Sequence, residues 1–289
     1  MKRLMDFTIA VVLFAGVTVQ SSLALSPADI PGLELWLDAS RRETVRIMAG
    51  RVAKWKDLST NEYDAVQQGE GFRPVYVEDV YGDMPMVSFS SRGEFGGNFL
   101  QTQCIPARGG DPRTIITAVA NVRDTPWKVN HVIHYGSPRI RQAYGLTSKG
   151  SGQYRWGNSY WADGFGTDIS STDCGAYIIV ASYSNGVDRF TINGGPTVSN
   201  SVPLDTAAGA HGTFGIIVGA RIDPYFGQPT EAASVDMGEV MAFSRALSVE
   251  ERQEVEGYLA HKWGMAGMLP SGHPYRAREP ALTTDRLVR

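Results

Sequence analysis

Residues 188–198 read DRFTINGGPTV, and they indicate how this chain folds. In DRFTIN, β-branched and aromatic residues tend to alternate with smaller or polar ones, the period expected of a strand with one buried face. The sequence Asn193-Gly194-Gly195 then permits positive φ angles at little cost, so a tight turn can join two antiparallel strands there. The segment therefore predicts a β-hairpin.

The same pattern extends on both sides of this hairpin, from about residue 30 to residue 245. Short apolar runs are separated by Gly, Pro, Asn and Asp, and 32 of the 289 residues are glycine. Strands are predicted at residues 33–39, 84–89, 113–122, 131–136, 177–184, 188–193, 214–220 and 235–244. No helical pattern of about 10 to 15 residues separates successive strands, which argues against a parallel α/β sheet. The sequence predicts an all-β, antiparallel β-sandwich.

One short C-terminal helix is predicted in LSVEERQEVEGYLAHKWG, residues 247–264. Ser248 and Glu251 have the spacing of a capping box, and Gly264 offers a stop. Apolar residues four or eight apart line one face of this helix: Leu247, Val255, Leu259 and Trp263. We expect that face to pack against the sandwich.

Several segments resemble a known family: IPGLELWLDAS, RVAKWKDLSTNEYDAVQQ, RPVYVEDVYGDMPMVSF, and GEVMAFSRALSVEERQEVEGYLAHKWG followed by GHPYR. They resemble the LamG-like branch of the concanavalin A-like lectin/glucanase superfamily of secreted bacterial proteins. The resemblance implies a jelly roll of two curved antiparallel sheets, in one domain over residues 28–276. It implies less about activity, because that fold hosts lectins, glycosidases, adhesion modules and structural domains. The chain departs from the family at Thr60, where the family has Gly.

The two ends of the chain are expected to lie outside this domain. Residues 1–26 contain Lys2, Arg3, an apolar run of twelve and a group of small residues. This is typical of a secretory signal peptide cleaved after Ala24 or Ser26, and it predicts a secreted or cell-envelope protein. Residues 277–289 are expected to form a flexible tail.

Charge and cysteine content restrict the partners. The formal net charge of -3 gives no reason to expect nucleic acid or an anionic membrane. Later apolar runs have the length of strands, so no membrane span is expected after signal cleavage. Cys104 and Cys174 permit one disulfide in an oxidising compartment, and two separate buried thiols are the alternative.

The sequence offers no clear catalytic pattern. Glycan-cleaving members of the superfamily carry Glu-x-Asp-x-x-Glu or a close variant on one strand, and we identify no match. Asp236 and Glu239 are three apart in a predicted strand and should point to opposite faces. Glutamates of the helix are assigned to its solvated face: Glu251, Glu254 and Glu256.

Histidine and nucleophile patterns lead to the same interpretation. His131 and His134 are also three apart in a predicted strand, so their side chains should diverge. The chain has neither a His-Glu-x-x-His helix for zinc nor a Gly-x-Ser-x-Gly elbow. The chain is therefore predicted to be non-enzymatic.

An aromatic stretch is the candidate ligand site. Residues 153–164 read QYRWGNSYWADG. Aromatic rings stack on the apolar faces of sugars, and nearby Asn or Asp orients hydroxyl groups. The proposed ligand-binding residues are Trp156, Asn158, Tyr160, Trp161 and Asp163. The alternative is that these rings pack within a hairpin.

A calcium site is the second candidate. Asp57, Ser59 and Asn61 alternate across a predicted loop and supply hard oxygen ligands. The same residue types also cap turns through hydrogen bonds to the backbone, which is the alternative.

These observations predict a secreted, non-catalytic carbohydrate-binding or adhesion domain with a polysaccharide or glycoconjugate as partner. The rival is a structural or protein-interaction module whose partner is another envelope protein. A divergent hydrolase is a weaker third reading, because it requires two carboxylates that converge on the concave sheet.

Overall fold

A computed structural model describes residues 24–93, 96–123, 125, 129–137, 139–149, 154–158, 169–171, 175–207, 215–223 and 227–281. Within these ranges the chain forms nineteen strands and one α-helix, α1 (Val249–Lys262). The strands are β1 (Leu33–Asp38), β2 (Val45–Met48), β3 (Arg51–Trp55), β4 (Ala65–Val66), β5 (Val75–Tyr81), β6 (Met84–Phe89), β7 (Leu100–Gln101), β8 (Arg113–Ala120), β9 (Asn130–Gly136), β10 (Ala143–Lys149), β11 (Tyr154–Asn158), β12 (Ile169–Ser171), β13 (Tyr177–Ser184), β14 (Val187–Ile192), β15 (Val198–Ser201), β16 (Ile217–Val218), β17 (Arg221–Ile222), β18 (Pro229–Thr230) and β19 (Val235–Phe243).

Two large sheets form the sandwich. One has eight strands in the order β15-β14-β13-β8-β19-β6-β5, with β1 also paired to β19. The other has nine strands in the order β12-β11-β10-β9-β16-β7-β4-β3-β2, and β17 and β18 form a small separate ladder. All of these ladders are antiparallel. The predicted antiparallel β-sandwich with one helix is confirmed.

The core lies between the two sheets. Buried apolar side chains of both sheets form one continuous cluster, to which Trp55 and Leu146 contribute from the nine-stranded sheet and Ile116 and Phe243 from the eight-stranded one. All eight residues of β8 and all nine of β19 are buried. Both central strands are therefore covered on both faces of the sheet. Helix α1 covers part of β19.

The predicted hairpin is present, with a longer turn than expected. β14 pairs with β15 from Val187 opposite Ser201 to Phe190 opposite Val198. Asn193 and Gly194 have φ angles of 50° and 64°, which is the left-handed backbone that this sequence favours. The two strands are thus joined as predicted, through a loop rather than a two-residue turn.

A β-bulge at Gly238 sets the faces of β19. Met237 and Glu239 pair with consecutive residues of β8, so Gly238 is an extra residue and the alternation shifts by one. Asp236 and Glu239 therefore share a face, and the prediction that they point to opposite faces is wrong. A side chain at Gly238 would begin 2.8 Å from the Trp263 ring, so only glycine permits this close approach.

Helix α1 begins and packs as predicted. The amide of Glu251 donates to Ser248 Oγ at 3.2 Å, and the amide of Ser248 donates to Glu251 Oε2 at 3.0 Å, which completes the capping box. Val255, Leu259 and Trp263 are fully buried. The apolar face therefore lies against the eight-stranded sheet.

The buried carboxylate of Glu239 on β19 links helix α1 to the sheet through hydrogen bonds. Glu239 accepts hydrogen bonds from Trp36 Nε1 at 2.6 Å, Tyr258 Oη at 3.0 Å, Lys262 Nζ at 2.7 Å and Trp263 Nε1 at 2.9 Å. Lys262 also pairs with the buried Asp38 at 2.6 Å. Burial raises the pKa of Glu239, and the ammonium of Lys262 partly offsets this effect.

The assignment of the helix glutamates to a solvated face is wrong for two of them. Glu254 and Glu256 are buried. Glu256 pairs with Arg252 on the same helix at 2.5 Å and with His273 Nε2 at 3.2 Å. The Arg252 guanidinium and the His273 ring replace the water that the carboxyl group loses on burial. His273 lies in the segment after the helix, which therefore folds back over α1.

Residues near both ends take part in the fold. Leu25 belongs to the core and is 4% exposed. Ala24 forms a bridge with Ala281, and the amide of Leu25 donates to the carbonyl of Pro280 at 3.3 Å. No helix within the described ranges has the length and apolar character needed to cross a bilayer.

Candidate functional site

The aromatic stretch lies mostly outside the described residues. Trp156 and Asn158 belong to β11, where they pair with Ser148 and Leu146 of β10. Other predicted residues of the platform fall outside the described ranges: Tyr160, Trp161 and Asp163. The platform therefore stays a prediction.

The predicted calcium residues form a hydrogen-bonded turn. Asp57 Oδ1 accepts from the amides of Trp36 and Ser59 at 2.8 and 2.9 Å. Asp57 Oδ2 accepts from Ser59 Oγ at 2.6 Å and from the Tyr63 amide at 2.9 Å. Asn61 Nδ2 donates to the carbonyl of Glu34 at 3.1 Å. Both carboxylate oxygens therefore already accept protein donors, as in the turn-capping alternative, and calcium stays a prediction.

This Asp57 turn positions two further carboxylates. The Asp57 amide donates to Asp64 Oδ1 at 2.9 Å. Glu62 has a φ of 57°, a left-handed backbone that is unusual for a residue with a side chain. Thr60, which replaces the family's glycine, is not among the residues with positive φ. The turn therefore forms without glycine at position 60.

Glu62 and Asp64 line a cleft of about 470 Å³ beside β4 and β7, which we call the outer cleft. Its walls combine carboxylate, amide, hydroxyl and aromatic side chains: Glu62, Tyr63, Asp64, Val66, Gln67, Gln68, Phe99, Gln101, Thr102 and Gln103. Such a mixture of apolar surface and a few converging polar groups is typical of small-molecule and sugar sites.

The outer cleft lies on the face of the nine-stranded sheet that points away from the core. Val66 pairs directly with Gln101, and both are only partly buried. Their neighbours along the two strands, Ala65 and Leu100, are fully buried between the sheets. Because side chains alternate along a strand, Val66 and Gln101 point outwards.

Two contacts fix the position of the Asp64 side chain. Its Oδ2 forms an ion pair with Lys54 of β3, and its Oδ1 accepts the Asp57 amide. The Asp64 side chain is 20% exposed, so its remaining accessible surface faces the cleft. Glu62 is exposed at the rim.

The floor of the cleft is rigid. Gln67 Oε1 accepts from the Gly69 amide at 2.8 Å, and Gln67 Nε2 donates to the Phe99 carbonyl at 3.4 Å. The Phe99 ring packs against Phe72 with a centroid distance of 5.9 Å. These contacts keep one face of the cleft aromatic.

A histidine pair lies on the same outward face, two strands away. Gln101 pairs with Ile217 of β16, and Ile217 pairs with His134 of β9. Adjacent strands are about 4.8 Å apart, so the Cα atoms of Gln101 and His134 are about 10 Å apart.

The prediction that His131 and His134 diverge is wrong. Consecutive residues of β10 pair with Ile133 and His131, so Val132 is an extra residue in a β-bulge. This bulge turns both imidazoles to one face, where their centroids are 4.9 Å apart. Burial lowers the pKa of both His131 and His134. Burial thus favours the neutral form of both rings.

Glu231 is the charged neighbour of this pair. Its Oε2 contacts His131 Nε2 at 3.1 Å and Arg221 Nε at 2.6 Å. Burial disfavours the carboxylate, but the His131 and Arg221 contacts outweigh it and lower the pKa of Glu231 to about 2. In the part of the chain that the structure describes, no group of three or more His, Cys, Asp or Glu side chains is arranged to hold a metal ion.

The state of Cys104 agrees with the alternative of separate buried thiols. Cys104 is buried and its thiol is free. Burial raises the pKa of this thiol well above its ordinary value. Cys174 lies outside the described residues.

Sequence reasoning missed the outer cleft, although a signal was present. Residues 62–67 read Glu-Tyr-Asp-Ala-Val-Gln, which is the Glu-x-Asp-x-x-Glu pattern with Gln67 in place of the last glutamate. The glutamines at 101 and 103 also alternate, as residues on one face of a strand do. Only the folded chain brings these two segments together.

Comparisons with known proteins bear on the fold. No protein-family model and no curated protein matches the chain. A solved arabinofuranosidase complexed with arabinofuranosyl-alpha-1,2-xylobiose is similar over 84% of this chain and 62% of its own, with 10% identity and a TM-score of 0.55. A Trypanosoma rangeli sialidase is similar over 84% of this chain and 37% of its own, with 14% identity and a TM-score of 0.50. The chain thus spans about a third of the sialidase and less than two thirds of the arabinofuranosidase.

These likenesses show the fold, and they correct one prediction. Both solved proteins are glycosidases. The prediction of a non-enzymatic binding, adhesion or scaffold module is contradicted by this finding. For this chain itself the likenesses show an antiparallel sandwich fold shared with part of each of these proteins.

Proposed function

We propose that this protein is a glycoside hydrolase whose substrate lies in the outer cleft. The observation that carries the proposal is the presence of two carboxylates, four glutamines and two aromatic rings around one cleft. The glycosidase activity named for the two solved proteins of similar fold supports the reaction class.

Glu62 and Asp64 are the proposed catalytic pair. Glycosidases place two carboxyl groups about 5 to 9.5 Å apart on either side of the scissile bond. Residues two apart in a chain have Cα atoms no more than about 7 Å apart, which is compatible with that requirement. Asp64, whose position is fixed by Lys54, stabilises positive charge on the sugar. Glu62 at the open rim gives a proton to the leaving oxygen as the glycosidic bond breaks, and it then takes a proton from the water that adds to the anomeric carbon.

The other walls hold the sugar. Tyr63 and Phe99 offer aromatic surface on which the apolar face of a sugar ring stacks. Gln101 and Gln103 each carry an amide donor and acceptor for hydroxyl groups. The rigid floor keeps these groups in place before the sugar arrives, which lowers the entropy cost of binding.

Hydrolysis of a substrate panel tests the proposal. The panel contains an aryl α-arabinofuranoside, an aryl sialoside and soluble plant and bacterial polysaccharides, and release of the aryl group or of reducing ends is measured. We expect turnover of at least one substrate. Glu62→Gln should lower kcat by about 100-fold or more, because it removes general acid–base catalysis.

The matched control is Glu78→Gln, on the exposed part of edge strand β5 in the other sheet. It should retain wild-type activity, and both variants should melt at the wild-type temperature. Turnover of no substrate, or wild-type kcat in Glu62→Gln, would refute the proposal.

The aromatic stretch is proposed as an additional contact for a long glycan. Trp161→Ala should then raise KM for a polysaccharide and leave KM for an aryl glycoside unchanged, because only the longer ligand reaches a second surface. Equal KM values of the wild type and Trp161→Ala for the polysaccharide would exclude this role.

We also propose that the protein is a divergent, exported member of the LamG-like branch, with residues 1–24 removed. The quoted motifs and the N-terminal pattern support this placement. Cleavage after Ala24 keeps Leu25 in the core and Ser26 as the cap of the turn at Pro27–Asp29, whereas cleavage after Ser26 would remove both. Mass spectrometry of the secreted protein should find Leu25 as the first residue, and a mature chain that begins at Pro27 would contradict this.

A further inference from the structure

The outer cleft has a one-sided charge. Two of its ten lining residues are carboxylates, and none of the ten is Lys or Arg. Lys54 is already paired with Asp64, and Arg73, behind the wall, donates to the backbone carbonyls of Gln67 and Gln68 at 2.9 and 2.8 Å. The lining side chains therefore offer a bound sugar carboxylates but no cation.

The remaining polar groups of the cleft are neutral. Gln68, Gln101 and Gln103 contribute amides, and Thr102 and Tyr63 carry hydroxyl groups, whereas both amide atoms of Gln67 are hydrogen-bonded within the protein. Amides and hydroxyls match the donors and acceptors of sugar hydroxyls, but they cannot neutralise a sugar carboxylate. Recognition of a carboxylate usually relies on arginine or lysine.

We infer that the substrate is a neutral glycan without carboxylate or sulfate groups at the bound unit; this inference rests on the proposed function. A sugar carboxylate or sulfate that enters the cleft gives up part of its water and finds no lining lysine or arginine to replace it, which costs free energy. A neutral sugar exchanges its water for amide and hydroxyl partners and meets no such barrier.

The test compares matched neutral and charged ligands on the full mature chain. Oligogalactose and oligogalacturonate differ mainly in the carboxylate, and an aryl arabinofuranoside is compared with an aryl sialoside. We expect kcat/KM for the neutral ligands to be at least tenfold higher. Calorimetric titration of the same ligands measures binding independently of turnover.

Gln103→Lys adds a cation at the cleft, and Asn200→Lys adds one at an exposed site of β15 as control. Gln103→Lys should improve binding of the charged ligands relative to the neutral ones, and Asn200→Lys should not. Turnover of charged sugars at the same rate as neutral ones would overturn this inference and leave the proposed function standing. Neutral sugars that bind without turnover would refute the proposed function only, and binding of neither class would refute both.

Discussion

Replacing Lys262 by methionine tests how the helix is held to the sheet. Lys262 is the cation between two buried carboxylates, Asp38 at 2.6 Å and Glu239 at 2.7 Å. At an effective dielectric constant of 20, each contact corresponds to about 6 kcal/mol of attraction. The desolvation of Lys262 offsets much of this, and removal of one partner from a buried ion pair costs about 3 to 5 kcal/mol. We expect a loss of that size in the free energy of unfolding at pH 7.

The loss of unfolding free energy in Lys262→Met should depend on pH. The direction of this dependence follows from the pKa of Glu239. The pKa of Glu239 is raised by burial, and Lys262 is the first group that counteracts the rise. A carboxyl group with a raised pKa stabilises the folded state below its unfolded pKa, and this contribution disappears as pH increases through the folded value. Without Lys262 the folded pKa moves higher still. The destabilisation should therefore shrink as pH falls from 7 towards about 4.5.

Urea unfolding, followed by the fluorescence of the buried tryptophans at pH 7 and pH 5, measures both effects. Lys56→Met, at an exposed position, is the control and should change the free energy by less than about 0.5 kcal/mol. A loss below about 1 kcal/mol in Lys262→Met, or a loss that grows at pH 5, would refute the reasoning.

Three further outcomes are expected. Gly238→Ala places a methyl group 2.8 Å from the indole ring of Trp263, so it should lower the free energy of unfolding, measured in urea, by about 2 kcal/mol. The control Gly267→Ala, which has open space around it, should lower this free energy by less than about 1 kcal/mol. A chain that begins at Pro27 should unfold about 2 to 4 kcal/mol more easily than one that begins at Leu25, because it loses a buried leucine and a cap. Calcium added after chelation should leave Tm unchanged, because the Asp57 carboxylate already accepts four hydrogen bonds; a rise in Tm would show a calcium site.

Local patterns of the sequence predict much of the fold because their causes are local. The hairpin after Ile192 follows from Asn193-Gly194, whose backbone accepts positive φ. The start of α1 follows from the capping box of Ser248 and Glu251. In each case the residues that determine the structure are within a few positions of one another.

The alternation of strand faces fails at the two bulges. Val132 and Gly238 each insert one residue, and every side chain beyond them changes face. The bulge at Gly238 depends on the distant Trp263, which occupies the space of the missing side chain. No period measured along one strand contains that information. The errors for His131 and Glu239 have this common cause.

The outer cleft was not predictable for a related reason. Its walls come from the segment after the Asp57 turn and from the segment around β7, which are about 35 residues apart in the chain. They meet through the pairing of Val66 with Gln101 and the hydrogen bond from Gln67 to Phe99. Position 62 is oriented by a left-handed backbone that glutamate rarely adopts. Residues 62–67 nearly match the pattern Glu-x-Asp-x-x-Glu, which is a local signal. Gln67 stands where the pattern has its last glutamate, so the match is incomplete.

The bridge between Ala24 and Ala281 has a consequence for engineering. Because these two residues are neighbours in space, a linker of a few residues can join them without distorting the sandwich. New termini can then be opened in the exposed turn at Asn185-Gly186, where β13 passes into β14. Such a circular permutant would keep both sheets intact. The same arrangement allows the whole unit to be spliced into a surface loop of an unrelated host protein.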